Sequence, residues 1–306
     1  MKYHNPVLLK ESVDALDVKE NGVYVDVTFG GGGHSIEILS RLGEHGRLFG
    51  FDQDPDALEN VVEDARFTLI PENFRYISRF LRFHGVKKID GVLADLGVSS
   101  HQFDEAERGF STRFDADLDM RMNQRSKISA KEVIASYSEE KLAEILFLYG
   151  ELRNSRNIAK TIVEKRQEEK IETSFQLKRV LQKYLPNAVE HKILAQIFQA
   201  IRIEVNEELD VLKEFLEQVP NLLKKEGRLS VISYHSLEDR LVKRFVRTGL
   251  FVGEPEKDFF GNVEVPMQKV GKLIVPNAAE VKVNNRARSA KLRIATLKLR
   301  DRNPNI

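Results

Sequence analysis

Three carboxylates stand where the sequence has the means for chemistry. Asp26 opens the series Asp26-x-Thr28-x-Gly30-x-Gly32, which runs on through Gly33, His34 and Ser35. Asp52 closes a second apolar run, twenty residues after Gly32, and Asp95 closes a third and precedes Leu-Gly-Val. A fourth run, VISYHS, ends in Tyr234 and His235. A glycine-rich turn after a strand lets a backbone approach a ligand closely. That ligand can be a phosphate, a cationic cofactor or nothing at all.

Spacing and charge weigh against phosphate. The dinucleotide fingerprint needs a third glycine where this chain has Ser35, and the Walker pattern needs a lysine that is not there. A carboxylate at Asp26 would repel a pyrophosphate in a water-poor site and attract the α-ammonium and sulfonium of S-adenosylmethionine. Asp52 has the spacing of an acid that accepts ribose hydroxyls, a feature shared by NAD and S-adenosylmethionine sites. A strand–helix turn without a ligand is the bland alternative.

The elements that must carry these residues alternate over the first hundred positions. GVYVDVTFG, RLFGFDQDP, FRYIS and IDGVLADLGVSS read as strands, and HSIEILSRLG and PDALENVVEDA read as helices. Such alternation predicts βαβ units and a parallel sheet covered on both faces. From about Ser126 to Leu185 the signatures are helical only. Ser129-x-x-Glu132 resembles a capping box, Leu142, Ile145, Leu146 and Tyr149 share a face, and Leu177, Val180, Leu181 and Tyr184 share another. One long helix is expected through KILAQIFQAIRIEVNEELDVLKEFLEQV, then strands RLSVISYHS and KLRIATLKLR. The expected architecture is a doubly wound α/β domain, residues 1–111 and 195–306, interrupted by a helical insertion, 112–194.

Composition narrows the function classes. The chain has 306 residues, 42% hydrophobic and 31% charged, with net charge +1 and no cysteine. Disulfides, thiolate–metal sites and a thiolate nucleophile are excluded, and no metal is expected. No apolar stretch approaches the ~18 residues of a membrane helix. The opening MKYHNPVLLKESVDAL lacks a signal-peptide layout, so a cytoplasmic protein without membrane attachment is expected. From Arg286 to Arg302 there are seven Lys/Arg and one acid, a run that either tracks a phosphate backbone or forms a solvated strand face.

Eight segments in order carry a resemblance that spans nearly the whole chain: HNPVLLKE, DVTFGGGGHS, DLGVSSHQFDEAERGFS, DLDMRM, YGELRNSRNIA, FQAIRIEVNEEL, GRLSVISYHSLEDRLVKRF and NNRARSAKLR. Together they resemble the bacterial small-subunit (16S) ribosomal RNA cytosine-N(4)-methyltransferase family, also called MraW. Some members carry proline where this chain has Asp117. The resemblance implies a class I S-adenosylmethionine-dependent methyltransferase with a helical, RNA-recognising insert. It implies a small-subunit ribosomal RNA partner, met within the ribosomal subunit, and methylation of a cytidine in its decoding region. It places cofactor contacts on Gly32, Gly33, His34, Asp52, Phe80, Asp95 and Gln102, to which the charge argument adds Asp26 and Gly30.

The missing cysteine is consistent with that chemistry. Methylation at ring carbon 5 of a pyrimidine ordinarily starts with a thiolate adding to the ring. An exocyclic amine instead attacks the methyl directly, given alignment, exclusion of water and a proton acceptor. Asp95 can orient the target amine or serve only the cofactor. Related amino-methylating enzymes carry Asp/Asn/Ser-Pro-Pro-aromatic there, so base stacking must come from elsewhere, with Tyr234 and His235 as candidates. A structural cap is the alternative for His235. Arg286, Arg288, Lys291 and Arg293 are expected to contact phosphates, and Arg108 and Arg121 either face the site or close ion pairs. The competing readings are a non-catalytic RNA-binding or assembly factor on this fold, and a methyltransferase for another nucleic-acid or protein nitrogen.

Overall fold

In the computed structural model, residues 6–261 and 263–298 are described. The chain divides into two units, Met1–Gly97 with Leu209–Ile306, and Val98–Glu208. The helical unit therefore starts earlier and ends later than the expected 112–194. The reason is packing: Phe110, Leu118 and Met120 share one apolar core with Ile145, Ile162 and Ile201.

The first unit is built on seven strands: β1 Val23–Asp26, β2 Arg47–Phe51, β3 Phe67–Ile70, β4 Ile89–Asp95, β5 Leu223–Ser233, β6 Met267–Ile274 and β7 Lys291–Leu297. Their order is β3-β2-β1-β4-β5-β7-β6. The first five pair in parallel. The expected last strand, β7, instead runs antiparallel to both β5 and β6. Side chains alternate between faces along each strand. Val25, Phe49, Val92 and Ala94 meet Ile77, Leu81, Phe215 and Val219 on one face. Tyr24, Leu48 and Leu93 meet Leu16, Ile38 and Leu39 on the other. Burial of each large side chain contributes about 1.5–3 kcal/mol, so both faces hold the sheet in place.

Three expected elements are corrected. PDALENVVEDA forms only a 3-10 turn, Pro55–Asn60, capped by Asp54. Its β-branched Val61 and Val62 lower helix propensity, and Asp64 turns back to bind Arg66. FRYIS is not a strand: Asn73 accepts from the Arg75 amide at 2.9 Å and opens a 3-10 turn leading into helix Ile77–Phe83. The third strand is the preceding FTLI. The expected long helix is two, Glu190–Asn206 and Glu208–Leu222, separated by Glu207 at φ 50. Two expected segments reach outside the described residues: the start of HNPVLLKE, and the end of the basic run from Leu299 to Arg302, which includes the last residues of KLRIATLKLR.

The helical unit is closed by its own caps. Ser129–Glu132 forms the expected capping box, and Thr173–Gln176 and Ser99–Gln102 form two more. Leu142, Ile145, Leu146, Leu177 and Leu181 are buried on the faces their spacing predicted, and Tyr149, Val180 and Tyr184 are half-buried beside them.

Candidate active site

Strand order sets the site. From β1 the chain moves outward to β2 and β3, then crosses back to place β4 on the other side of β1. Ligands of open α/β sheets bind outside the carboxyl ends of the strands at such a switch point. The carboxyl ends of β2, β1, β4 and β5 are followed or closed by Asp52, Asp26, Asp95 and Tyr234. Four elements separated by up to two hundred residues thus deliver their polar ends to one edge.

Asp26 is fully buried and accepts from the Ser35 hydroxyl at 2.8 Å and the Thr28 amide at 3.1 Å. Burial raises its pKa to about 6. Thr28 Oγ1 in turn accepts from the Asp95 amide at 2.6 Å, tying the glycine loop to β4. Asp52 accepts from the Gly30 amide and the Asp54 amide, both at 2.8 Å, and burial raises its pKa to about 6 as well. Through these two bonds it holds the loop's shape. Ser35, which stands where the dinucleotide fingerprint would have its third glycine, is the partner that fixes Asp26.

Gly32 caps helix Gly33–Arg41 at φ 77, a conformation that a side chain would strain. Gly33 serves packing: a Cβ there would fall 2.3 Å from Pro6 Cγ. His34 lies in the first helical turn, 5% exposed, with Nδ1 3.8 Å from Asp95 Oδ2. Burial lowers its pKa to about 4, so the imidazole is neutral at neutral pH.

Asp95 accepts from the Tyr234 hydroxyl at 2.8 Å. Its pKa is raised to about 7, first by burial and further by the nearby Asp26 and Glu238 charges, while the Tyr234 bond pulls it back down. The Tyr234 phenol is pushed well above its ordinary value by burial and by Asp95. Tyr234 therefore acts on Asp95 directly. His235 caps helix Ser236–Thr248 in a capping box with the buried Glu238, the structural alternative stated for it. Glu238 also accepts from the Tyr234 amide at 2.9 Å. The His-x-x-Glu spacing was the available signal for Glu238.

Phe80, on helix Ile77–Phe83, is half-buried and meets Phe51 edge-on at 6.3 Å, next to the end of β2. Gln102 belongs to the helical unit, where its side chain accepts from the Ser99 amide at 3.0 Å. Of the four basic candidates, Lys291 and Arg293 pair with Asp239, at 3.2 and 2.7 Å. Arg286 and Arg288 are exposed on the turn Asn285–Ser289. In the helical unit, Arg121 grips Asp119 and Arg108 donates to the Arg121 carbonyl. Among the described residues, no Lys or Arg pairs with Asp26, Asp52 or Asp95.

A parallel sheet in this order, closed by a reversed β7 and carrying a glycine loop and acids at its switch point, is the Rossmann-like fold of class I methyltransferases. The model of the MraW methylase family matches residues 1–298, and the chain belongs to that family. It is 66% identical over 295 residues to the ribosomal RNA small subunit methyltransferase H of Flavobacterium johnsoniae, covering 96% of this chain and 98% of that protein. It is 67% identical to the protein of the same name from Christiangramia forsetii, with the same coverage. A solved rRNA methylase from Streptococcus thermophilus aligns over 98% of this chain and 99% of its own, at 11% identity and a TM-score of 0.41. No helix among the described residues is long and apolar enough to cross a membrane.

Proposed function

We propose that the protein methylates the exocyclic N4 of a cytidine in the decoding region of small-subunit ribosomal RNA. The names of its relatives support the RNA class, and the resemblance of the segments around Asp95 supports the base. The observation that carries the chemistry is Asp95: a carboxylate at the switch point, hydrogen-bonded to Tyr234, with a pKa of about 7.

The residues present suit a cationic cofactor. Three carboxylates with raised pKa values and, among the described residues, no Lys or Arg partner create a site that a positive ligand relieves. S-adenosylmethionine, when bound, supplies an electrophilic methyl on a sulfonium. Asp26 and Asp52 would hold it by charge and hydrogen bonding, with Gly30, Gly32, His34 and Phe80 forming the surrounding wall. Asp95 would accept a hydrogen bond from the target amine and aim its lone pair at the methyl. Attack of the amine on the methyl would displace the sulfur with its bonding electron pair and leave the amine more acidic. Asp95, poised near neutrality, would then take the amine proton. Tyr234 would keep the carboxylate oriented and partly ionised. No enzyme nucleophile is needed, in keeping with the absence of cysteine.

The test is methyl transfer to small ribosomal subunits and to free small-subunit RNA, followed by mass mapping of the modified nucleoside. Label on N4 of cytidine is the expected result. Label on ring carbon 5 or on protein, or no transfer to either substrate, would overturn the reading.

A further inference from the structure

A basic stretch runs through helix Ile77–Phe83 and its flanks. From Asn73 to Ile89 there is no Asp or Glu, while Arg75, Arg79, Arg82, Lys87 and Lys88 fall within it. Two of these have structural work. Arg75 pairs with Glu214 at 2.8 Å, and Lys88 donates to the Asn221 carbonyl at 2.9 Å. Arg79, Arg82 and Lys87 are exposed and meet no acid among the described residues. Beside them Phe83 is 83% exposed, its ring set edge-on against His84 at 5.3 Å. His84 leans on the buried Phe49 at 5.4 Å, so the exposed ring has a fixed base.

Other exposed helices of this chain are arranged differently. Lys141–Glu144, Lys165–Glu168 and Lys213–Asp210 pair at i,i+3 spacing, and Lys160–Glu164 at i,i+4. Helix Ile77–Phe83 puts two arginines, Arg79 and Arg82, at i,i+3 with no acid between them, and the Arg79 guanidinium lies 5.9 Å over the Phe80 ring. Like charges at helical spacing cost stability, and the helix C-terminus favours Arg82 alone. An exposed phenylalanine gains nothing from water. Unneutralised cations around an aromatic face are the pattern that holds a nucleic-acid backbone and stacks an unpaired base.

We infer that Arg79, Arg82, Lys87 and Phe83 form a second RNA-contacting surface, separate from the Arg286–Arg293 segment. The cations hold phosphates of ribosomal RNA and Phe83 stacks on an unstacked base. The inference rests on the proposed ribosomal RNA substrate. Opposite faces of the helix divide the work, with Ile77 and Leu81 in the core and the cations outward.

The experiment compares wild type with the triple variant Arg82→Gln, Phe83→Ala, Lys87→Gln. It measures S-adenosylmethionine affinity, binding of small-subunit RNA at several salt concentrations, binding of assembled small subunits, and methyl-transfer kinetics. Unchanged cofactor affinity certifies the fold of the variant. The expected result is a KM for RNA raised about tenfold or more with kcat retained. The dependence of log K on log salt should become shallower by about 1.5, as expected for two lost phosphate contacts. Arg82→Lys alone should keep most of the binding. If wild type and variant bind RNA alike with equal salt slopes, the inference fails and the proposed function stands. If the variant loses affinity for assembled subunits but not for RNA, the surface is a protein contact and the inference is again overturned. If wild type binds no small-subunit RNA, the proposed function fails and takes the inference with it.

Discussion

The carboxyl edge of β2, β1, β4 and β5 and the helical unit Val98–Glu208 treat charge in opposite ways. In the helical unit acids and bases neutralise each other: Asp119 grips Arg121 at 2.6 Å, and Glu208 holds Arg202 at 2.7 Å. Asp119 consequently titrates below the ordinary carboxylate range. At the sheet edge, Asp26, Asp52 and Asp95 hold hydrogen bonds but, among the described residues, no Lys or Arg, and all three titrate high. One region uses its charges to stay folded. The other keeps its acids unpaired and loses stability for it, the pattern expected where a ligand completes the site.

The largest effect expected is at Asp95. Asp95→Asn should lower kcat by about a hundredfold or more, as for loss of a positioned proton acceptor, with a much smaller change in cofactor affinity. Stability should move the other way. Because the folded pKa of Asp95 is raised, the native state holds its proton between about pH 4 and 7 where the unfolded chain has released it. Stability from this group therefore falls as pH rises through that window. The variant should melt higher than wild type at pH 8 and alike at pH 4. A lower melting temperature at pH 8 would show that Asp95 stabilises the fold.

A smaller effect is expected at Tyr234. Its hydrogen bond holds the Asp95 pKa down, so Tyr234→Phe should raise that pKa and shift the acid limb of the kcat profile to higher pH. A loss of about tenfold in kcat near pH 7 should recover at higher pH. A pH-independent loss would instead mean that Tyr234 touches the substrate itself.

The sequence made much of this edge legible. Charge and spacing alone pointed from Asp26 and Ser35 away from phosphate, and strand-end acids at Asp52 and Asp95 marked the switch point. What it hid was tertiary. Thr28 bridges the glycine loop to the Asp95 amide of β4, 67 residues away, a bond that one-dimensional spacing does not relate. The bond from the Tyr234 hydroxyl to Asp95 was hidden because the two residues lie 139 positions apart. The ion pairs of Lys291 and Arg293 with Asp239 were hidden because Asp239 comes 52 residues before the first of them. The strand β6 was missed since MQKVGKLI is largely exposed and has little apolar alternation. FRYIS was misread because a short apolar run does not tell strand from helix.

The smallest effect is expected in the helical unit. Arg121→Ala removes a half-exposed pair and should cost at most about 1 kcal/mol of stability, with cofactor affinity unchanged. A large loss of cofactor affinity would break the contrast between the two regions.

The central claim is that the unpaired acids at the switch point await a cation. Calorimetric titration of the wild-type protein with S-adenosylmethionine from pH 5 to pH 7 tests it most directly. A bound cation lowers the pKa values of Asp26, Asp52 and Asp95, so affinity should rise across that range with net release of protons. No binding, or an affinity that is flat or falls with pH, would contradict the account.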